Sequence, residues 1–413
     1  MSTRGNTIVT DGLLVCLDKY NEQSYLGEPT VNLMTNPTFQ NKTAGSNAAV
    51  GWGTGYSGTD NYYDDNPPEG DLYFGLQCTT PNVYQSHATI TNLVASTTYT
   101  ISYWVKTSTP HGALNNAMYV YGNVSGAKMA PVYASTTEWQ KKSHVFTTFS
   151  TTQDYQINSY NYVHGMTVYI SGIQIEEKSH ATKFVNGTRS TTDGWQDLSG
   201  NGFHANLDAD KITYSATNIP GTDRNNFSFS GTSYSGAFVG DSTGVGPYSA
   251  DAMTIDAWVN LAVVPASQAT SYPCIFSKRD VDTQRSYFFA FVKSSSVLYW
   301  EIKNSNGTYF IHSSTKTDWV ADRWYHVAVT YHAQSGLSTM YIDGVEEAGS
   351  KSPSQPWTLN PIPSTTASTY VGRTHGGSYS FNGEIDIVKF YNRVLISTEV
   401  SQNFNAQKSR YGL

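Results

Sequence analysis

The feature that most constrains this chain is alternation. In Tyr99-Thr100-Ile101-Ser102-Tyr103-Trp104-Val105-Lys106, one set of alternate residues reads Tyr, Ile, Tyr, Val. Residues two apart share a face of a strand but not of a helix. The same holds for Trp324-Tyr325-His326-Val327-Ala328-Val329-Thr330-Tyr331, where one face reads Tyr, Val, Val, Tyr. Turn signals separate such runs. Asn306-Gly307 lies between Trp300–Lys303 and Thr308–His312, and Asp343-Gly344 follows Met340–Ile342. Both dipeptides suit the positive φ angles of tight hairpins. Short strands broken by Gly, Ser, Asn and Pro predict antiparallel sandwiches. One helix is expected near the C-terminus, with Ser397 as cap, Glu399 in its first turn, and Val400 and Phe404 on one face. There is no heptad region and no short repeat, so compact domains are expected rather than a fibrous shaft.

The composition supports sheets. Only 38% of the 413 residues are hydrophobic, so burial must lean on large side chains, supplied by 30 Tyr, 17 Phe and 9 Trp. A Tyr ring suits a half-buried pleated surface. The formal charge is −7 and no basic run stands out, which argues against nucleic acid and anionic membrane as partners. No stretch is long enough to span a bilayer, so membrane insertion is not expected. Cys16, Cys78 and Cys274 show neither metal spacing nor a disulfide framework, and read as small buried hydrophobes. The polar Met1–Thr10 segment is not a signal peptide, so synthesis and folding in a reducing cytoplasm are expected.

Five segments carry a resemblance from about Asp193 onward. They are Trp195–Gly202 (WQDLSGNG), Met253–Val259, Arg323–Thr330, Met340–Gly344, and Gly383–Arg393 (GEIDIVKFYNR). In this order they resemble the concanavalin-A-like/laminin-G-like superfamily. Members usually begin with a strand followed soon by the Asp-Leu-Ser-Gly-Asn-Gly turn. Here the opening strand reads Asp11–Asp18, but the turn arrives only at Asp197. The resemblance implies a discontinuous sandwich from 1–29 plus 189–413, with a second domain inserted at 30–188. Three consecutive domains are the alternative. Insertion at an exposed loop is tolerable when the ends of the insert lie close together.

The insert contains Asn32–Phe39, Gly51-Trp52, Tyr99–Lys106 and Val168–Glu176, and resembles a carbohydrate-binding-module sandwich. The expected fold class is therefore all-β: two antiparallel jelly-roll or β-sandwich domains, one of them discontinuous, with a short C-terminal helix. Ala181–Arg189 resembles a segment common in virion proteins of tailed phages. Asn403–Leu413 resembles the ends of structural proteins from contractile-tailed phages of cyanobacteria. These likenesses imply a non-enzymatic virion structural protein: a tail-fibre part, a baseplate appendage or a capsid decoration. Its partners would be other virion proteins and host cell-surface glycans, with a homo-oligomer left open.

The main alternative is a polysaccharide-degrading glycosidase. Several glycosidases of the superfamily carry Glu-x-Asp-x-Glu on one strand, which places the carboxylates on one face for a retaining mechanism. This chain has Glu384 and Asp386 but Val388 at the third position, so the acid/base residue is missing. His326 reads as a core or sheet-face residue, and His332 and His375 as exposed. Gly240-Asp241-Ser242-Thr243-Gly244 matches a nucleophile elbow, but Val245-Gly246-Pro247 cannot start the helix an elbow requires. No catalytic residue is assigned. A structural calcium ion is the one cofactor the resemblance leaves room for, and its ligands stay unknown. The acidic loop Asp60, Asp64, Asp65, Glu69 and Asp71 reads as solvated.

For glycan binding the candidate rings are Trp52, Tyr56, Tyr62, Tyr63, Trp104, Tyr379 and Phe381. A sugar stacks an apolar C–H face on a flat ring while its hydroxyls bond to nearby polar groups. Trp104 lies on the strand face opposite Tyr99, Ile101, Tyr103 and Val105. If those four fill the core, Trp104 points outward. Tyr379 and Phe381 follow the Gly376-Gly377 turn.

Overall fold

The computed structural model describes residues 7–35, 37–38, 51–54, 61–63, 75–78, 83–91, 93–115, 118–122, 128–129, 132–151, 154–161, 168–190, 194–207, 211–240, 247–280, 285–303, 308–357, 362–363 and 365–413. The chain divides into two compact units. One joins 1–28 to 190–413; the other is 29–189. Both are built from antiparallel sheets, and the one α-helix among the described residues is Ser397–Gln407.

The discontinuous unit has two eight-stranded sheets. The first has the central order Asn382–Tyr391, Ala252–Leu261, Trp324–His332, Leu337–Ile342. The second contains Cys274–Arg279, Arg285–Phe291, Leu298–Lys303 and Tyr309–Ser314 as consecutive neighbours. Alternate residues of both sheets meet in one apolar core, including Ile255, Val327, Phe289 and Trp300. The strand Leu13–Asp18 belongs to this unit. It pairs with Asn382–Tyr391, and Val15 and Leu17 are fully buried in the same core as Val259 and Val327.

The Asp-Leu-Ser-Gly-Asn-Gly turn explains how a strand so distant in sequence is held. Asp197 Oδ1 accepts the backbone N–H of Cys16 at 2.8 Å and of Ser199 at 2.9 Å. Its Oδ2 accepts the Ser199 hydroxyl and the Phe203 N–H. The Ser199 hydroxyl oxygen also lies 2.7 Å from the Leu14 carbonyl. One carboxylate thus staples the first strand to a turn that follows the insert. At the Asp343-Gly344 turn both residues have positive φ, +50° and +76°, which brings Ile342 opposite Val345.

The helix begins one residue earlier than expected. Ser397 is its first helical residue rather than its cap. The orphan N–H of Ile396 is instead taken by the Glu399 carboxylate at 3.0 Å, and Arg393 grips that carboxylate with two bonds of 2.8 Å. The buried helix face is Val400, Asn403 and Gln407. Phe404 stacks on Trp258 with centroids 5.7 Å apart.

The unit 29–189 has two five-stranded sheets. One runs Gln140–Thr147, Thr98–Thr107, Val168–Glu176, Gly75–Cys78, Asn61–Tyr63. Tyr99, Ile101, Tyr103 and Val105 all point into its core, with Ile157, Ile170 and Ile175. Its incoming and outgoing segments pair with each other, Thr30 with Arg189 and Val31 with Thr188. Beneath them the buried Glu176 accepts the Thr30 hydroxyl at 2.6 Å and both the N–H and hydroxyl of Thr182.

Candidate functional site

Two aromatic surfaces emerge, one in each unit. In 29–189, the period-two rule sends Trp104 to the outer face of Thr98–Thr107, where it is half-buried. Lys141 and Ser171 are its cross-strand neighbours. Two residues further on, Lys106 places its ammonium 5.1 Å from the Trp139 ring and 5.3 Å from the Tyr169 ring. Trp104, Trp139 and Tyr169, with Lys106 and Lys141 beside them, form a surface of flat rings and hydrogen-bond donors.

The other candidates of this unit fare differently. Trp52 is a core residue, 5% exposed, in the same buried cluster as Ile90 and Ile170. It offers no stacking face. Tyr62 and Tyr63 occupy the edge strand Asn61–Tyr63, pairing with Leu76 and Gly75. Tyr56 lies outside the described residues, as does the acidic loop of Asp60, Asp64, Asp65, Glu69 and Asp71.

In the discontinuous unit the outer face of the second sheet carries Tyr272, Phe288, Tyr299 and Tyr379 around Cys274 and Ala290. Tyr379 is half-buried, edge-on to Tyr272 at 5.2 Å and tilted against Phe288 at 5.9 Å. The Arg279 guanidinium sits 4.4 Å over Phe288 and 5.4 Å from Tyr379. Glu301 lies 3.5 Å from Arg279 Nη1 and accepts the Tyr299 hydroxyl at 2.8 Å. Burial, with Glu301 adding repulsion, pushes the Tyr299 phenol well above its usual range, so it stays a donor. Phe381 is not part of this surface. It is fully buried on the opposite side, against Phe291. Tyr379 lies in a turn ahead of the strand Asn382–Tyr391, where a spacing of two residues does not fix a common face.

Glu384 and Asp386 do share a face, but as an ion cluster. Lys19 Nζ lies 2.9 Å from Glu384 Oε2 and also contacts Asp386 Oδ1. Asn226 donates to Glu384 Oε2 at 2.9 Å. Val388 is fully buried in the core. Burial pushes the Asp386 carboxyl up to about 7; Glu384 and Asp18 add repulsion that Lys19 only partly offsets. Beside it, Arg410 makes two bonds to Asp18, 3.0 and 2.7 Å long. Tyr411 stacks on Trp258 at 4.2 Å.

His326 is fully buried, with Nε2 3.0 Å from Asp256 Oδ2. His332 is half-buried and His375 is exposed, 3.3 Å from the Tyr370 hydroxyl. Burial pushes the Cys16 and Cys274 thiols up to about 12, so neither is a ready nucleophile. Gly240 ends a strand, and residues 241–246 lie outside the described residues. Among the described residues no group of three or more His, Cys, Asp or Glu could hold a metal ion, and no helix is long and apolar enough to cross a membrane.

Residues 231–401 match the family model Laminin_G_3, of the concanavalin A-like lectin/glucanases superfamily. The chain contains a concanavalin A-like, laminin-G-like domain. That superfamily name covers lectins and glucanases alike, so the match fixes a fold and leaves binding or hydrolysis to the residues. No curated protein matches the sequence.

Several solved structures resemble the chain at low identity. The binding domain of Paraclostridial Mosquitocidal Protein 1 is 17% identical with a TM-score of 0.39, over 52% of this chain and 50% of that one. The receptor-binding domain of botulinum neurotoxin type G is 16% identical with a TM-score of 0.39, over 52% and 49%. Domain 4 of an extracellular arabinanase from Geobacillus stearothermophilus, in complex with arabinotriose, is 18% identical with a TM-score of 0.33, over 52% and 92%. The chain spans about half the length of the toxin domains it matches.

Rings that sequence reasoning missed are Trp139 and Tyr169 in one unit and Tyr272, Phe288 and Tyr299 in the other. Phe288 had a usable signal, since it alternates with Phe289 and Tyr287 of the core. Trp139 had none, because it precedes its strand and reaches Lys106 only across the sheet.

Proposed function

We propose that this chain is a structural protein of a tailed-bacteriophage particle that holds host-surface glycans without cleaving them. The observation that carries the binding half is the outward Trp104 surface. A half-exposed indole on the face opposite four core residues, with Trp139, Tyr169 and two lysines beside it, suits a sugar ring stacked by its C–H face with its hydroxyls bonded at the rim. The particle half rests on the Ala181–Arg189 and Asn403–Leu413 resemblances. Its place would be a tail fibre, a baseplate appendage or a capsid decoration. Single sugar sites are weak, and many copies on one particle raise avidity without new contacts.

The non-enzymatic reading is supported by Lys19, which contacts both carboxylates that a glycosidase would need free. A glycan array and host-cell binding assay with the purified chain tests the adhesion half. Saturable binding lost in Trp104→Ala supports it, and absence of binding to any host glycan or cell sinks it. Labelled antibody located on intact particles by microscopy tests the particle half. Release of reducing sugar from host polysaccharide would overturn the non-enzymatic reading.

A further inference from the structure

From the cluster at the end of the first strand we infer that Lys19 and Asp386 join covalently, by an amide between Lys19 Nζ and Asp386 Cγ, with Glu384 as the catalytic proton acceptor. Three observations carry this. The register continues from the Asp18–Ile387 pair, and the Lys19 N–H donates to the Asp386 carbonyl at 2.8 Å, so the two side chains are direct cross-strand neighbours. Glu384, two residues before Asp386, falls on the same face, with Oε2 2.9 Å from Nζ. The pair is shut from water: the Lys19 and Asp386 side chains are 1% and 2% exposed. The Phe227 ring lies 4.7 Å from Nζ, and the Tyr411 hydroxyl is buried without a hydrogen-bond partner.

The contact between Nζ and Asp386 Oδ1 lacks hydrogen-bond angles, and Oδ1 accepts no hydrogen bond. The ammonium bonds instead to the Phe227 carbonyl at 3.0 Å and to Glu384. Lys19 Nζ is thus held against the Asp386 carboxyl group without being spent in a hydrogen bond to it. Burial keeps Asp386 protonated up to about pH 7, and a neutral carboxyl is the form an amine can attack.

The step balances as follows. Lys19 Nζ gives a proton to Glu384, and the neutral amine attacks Cγ. A C–N bond forms. The C–OH bond breaks, and the hydroxyl takes a proton that the new nitrogen gives up, leaving as water. Ammonium and carboxyl thus become an amide, one water and one proton. The proton rests on Glu384 and leaves through its exposed edge, which is 27% exposed. Holding the groups together replaces a bimolecular condensation by an intramolecular one, with effective molarities on the order of 10⁵ M or more in well-aligned cases. The product ties the first strand of the discontinuous unit to its last.

The other buried lysine–aspartate pair does not meet these conditions. Lys389 Nζ lies 2.7 Å from Asp256 Oδ1 in hydrogen-bond geometry, and its other partner is the Gln407 amide, which takes no proton. The expected result is therefore one bond, at Lys19 alone.

Intact-mass spectrometry of the denatured full chain should read one water lighter than the sequence. Tryptic digestion should give one branched peptide joining the peptide with uncleaved Lys19 to Thr374–Lys389. Glu384→Gln should fold, with unchanged circular dichroism, and show the full sequence mass. Lys19→Arg should also show the full mass. A wild-type chain at full mass overturns the proposal. So does a water loss that maps to any other residues, or a linked Glu384→Gln chain.

Discussion

Two lysine–aspartate pairs sit within one sheet of the discontinuous unit, and they have opposite character. Asp256 sits among favourable neighbours: Lys389 donates to it at 2.7 Å, the Asn403 amide donates at 2.9 Å, and His326 Nε2 lies 3.0 Å away. Burial works against its charge, but Lys389 and His326 overcome that and hold the carboxyl well below the usual carboxylate range. Asp386 touches only one cation, Lys19, and faces two acids, Glu384 and Asp18, so burial prevails and its carboxyl rises instead. Burial is nearly complete at both. The company each keeps decides whether an aspartate is a settled ion or a reactive neutral acid.

The largest effect should come from removing a cation from the settled pair. Lys389→Met leaves Asp256 as a buried anion and should cost about 3–5 kcal/mol in chemical denaturation at neutral pH. Lys19→Met, made on the Glu384→Gln background where no amide forms, should cost less than half of that, because Asp386 can remain neutral. Equal costs would break the contrast between the pairs.

The next test sharpens it through pH. A carboxyl lowered in the folded state adds stability above its unfolded pKa and loses it as pH falls through the folded value. The stability gap between wild type and Asp256→Asn should therefore be constant near neutrality and shrink below about pH 4. Asp386 has the opposite sign. In a chain where the amide has not formed, its raised pKa makes stability fall as pH rises from about 4 to about 7. Denaturation curves of the Lys19→Arg chain across that range, flattened by a further Asp386→Asn, would check this.

Smaller again is the staple. Asp197→Ala removes four hydrogen bonds to a carboxylate and should cost roughly 2–3 kcal/mol. Amide exchange should rise first along Leu13–Asp18, since that strand depends on the turn. The smallest stability effect belongs to the outer aromatic faces. Trp104→Ala should change stability by about 1 kcal/mol or less while abolishing glycan binding, and thermal melts beside the binding assay separate the two.

Much of the fold is legible in the amino-acid pattern. Alternation places Tyr99, Ile101, Tyr103 and Val105 inward and Trp104 outward, and the positive-φ demand of Asp343-Gly344 marks a hairpin. The candidate sites are less legible. Trp52 and Phe381 look like rings beside turns, but burial depends on what packs above them, which a local pattern does not carry. Ser397 matches a cap by type, yet Glu399 takes that role because Arg393 holds it in place.

The sequence by itself determined which residues face which side of each strand, because a pleated backbone allows only period two. It also marked Glu384 and Asp386 as one-face neighbours. Only the tertiary structure decided that Lys19, some 365 positions away, completes that face. The reason is physical: pairing between the first and last strands is set by the shared core and the Asp197 staple, and no local preference reaches across that separation.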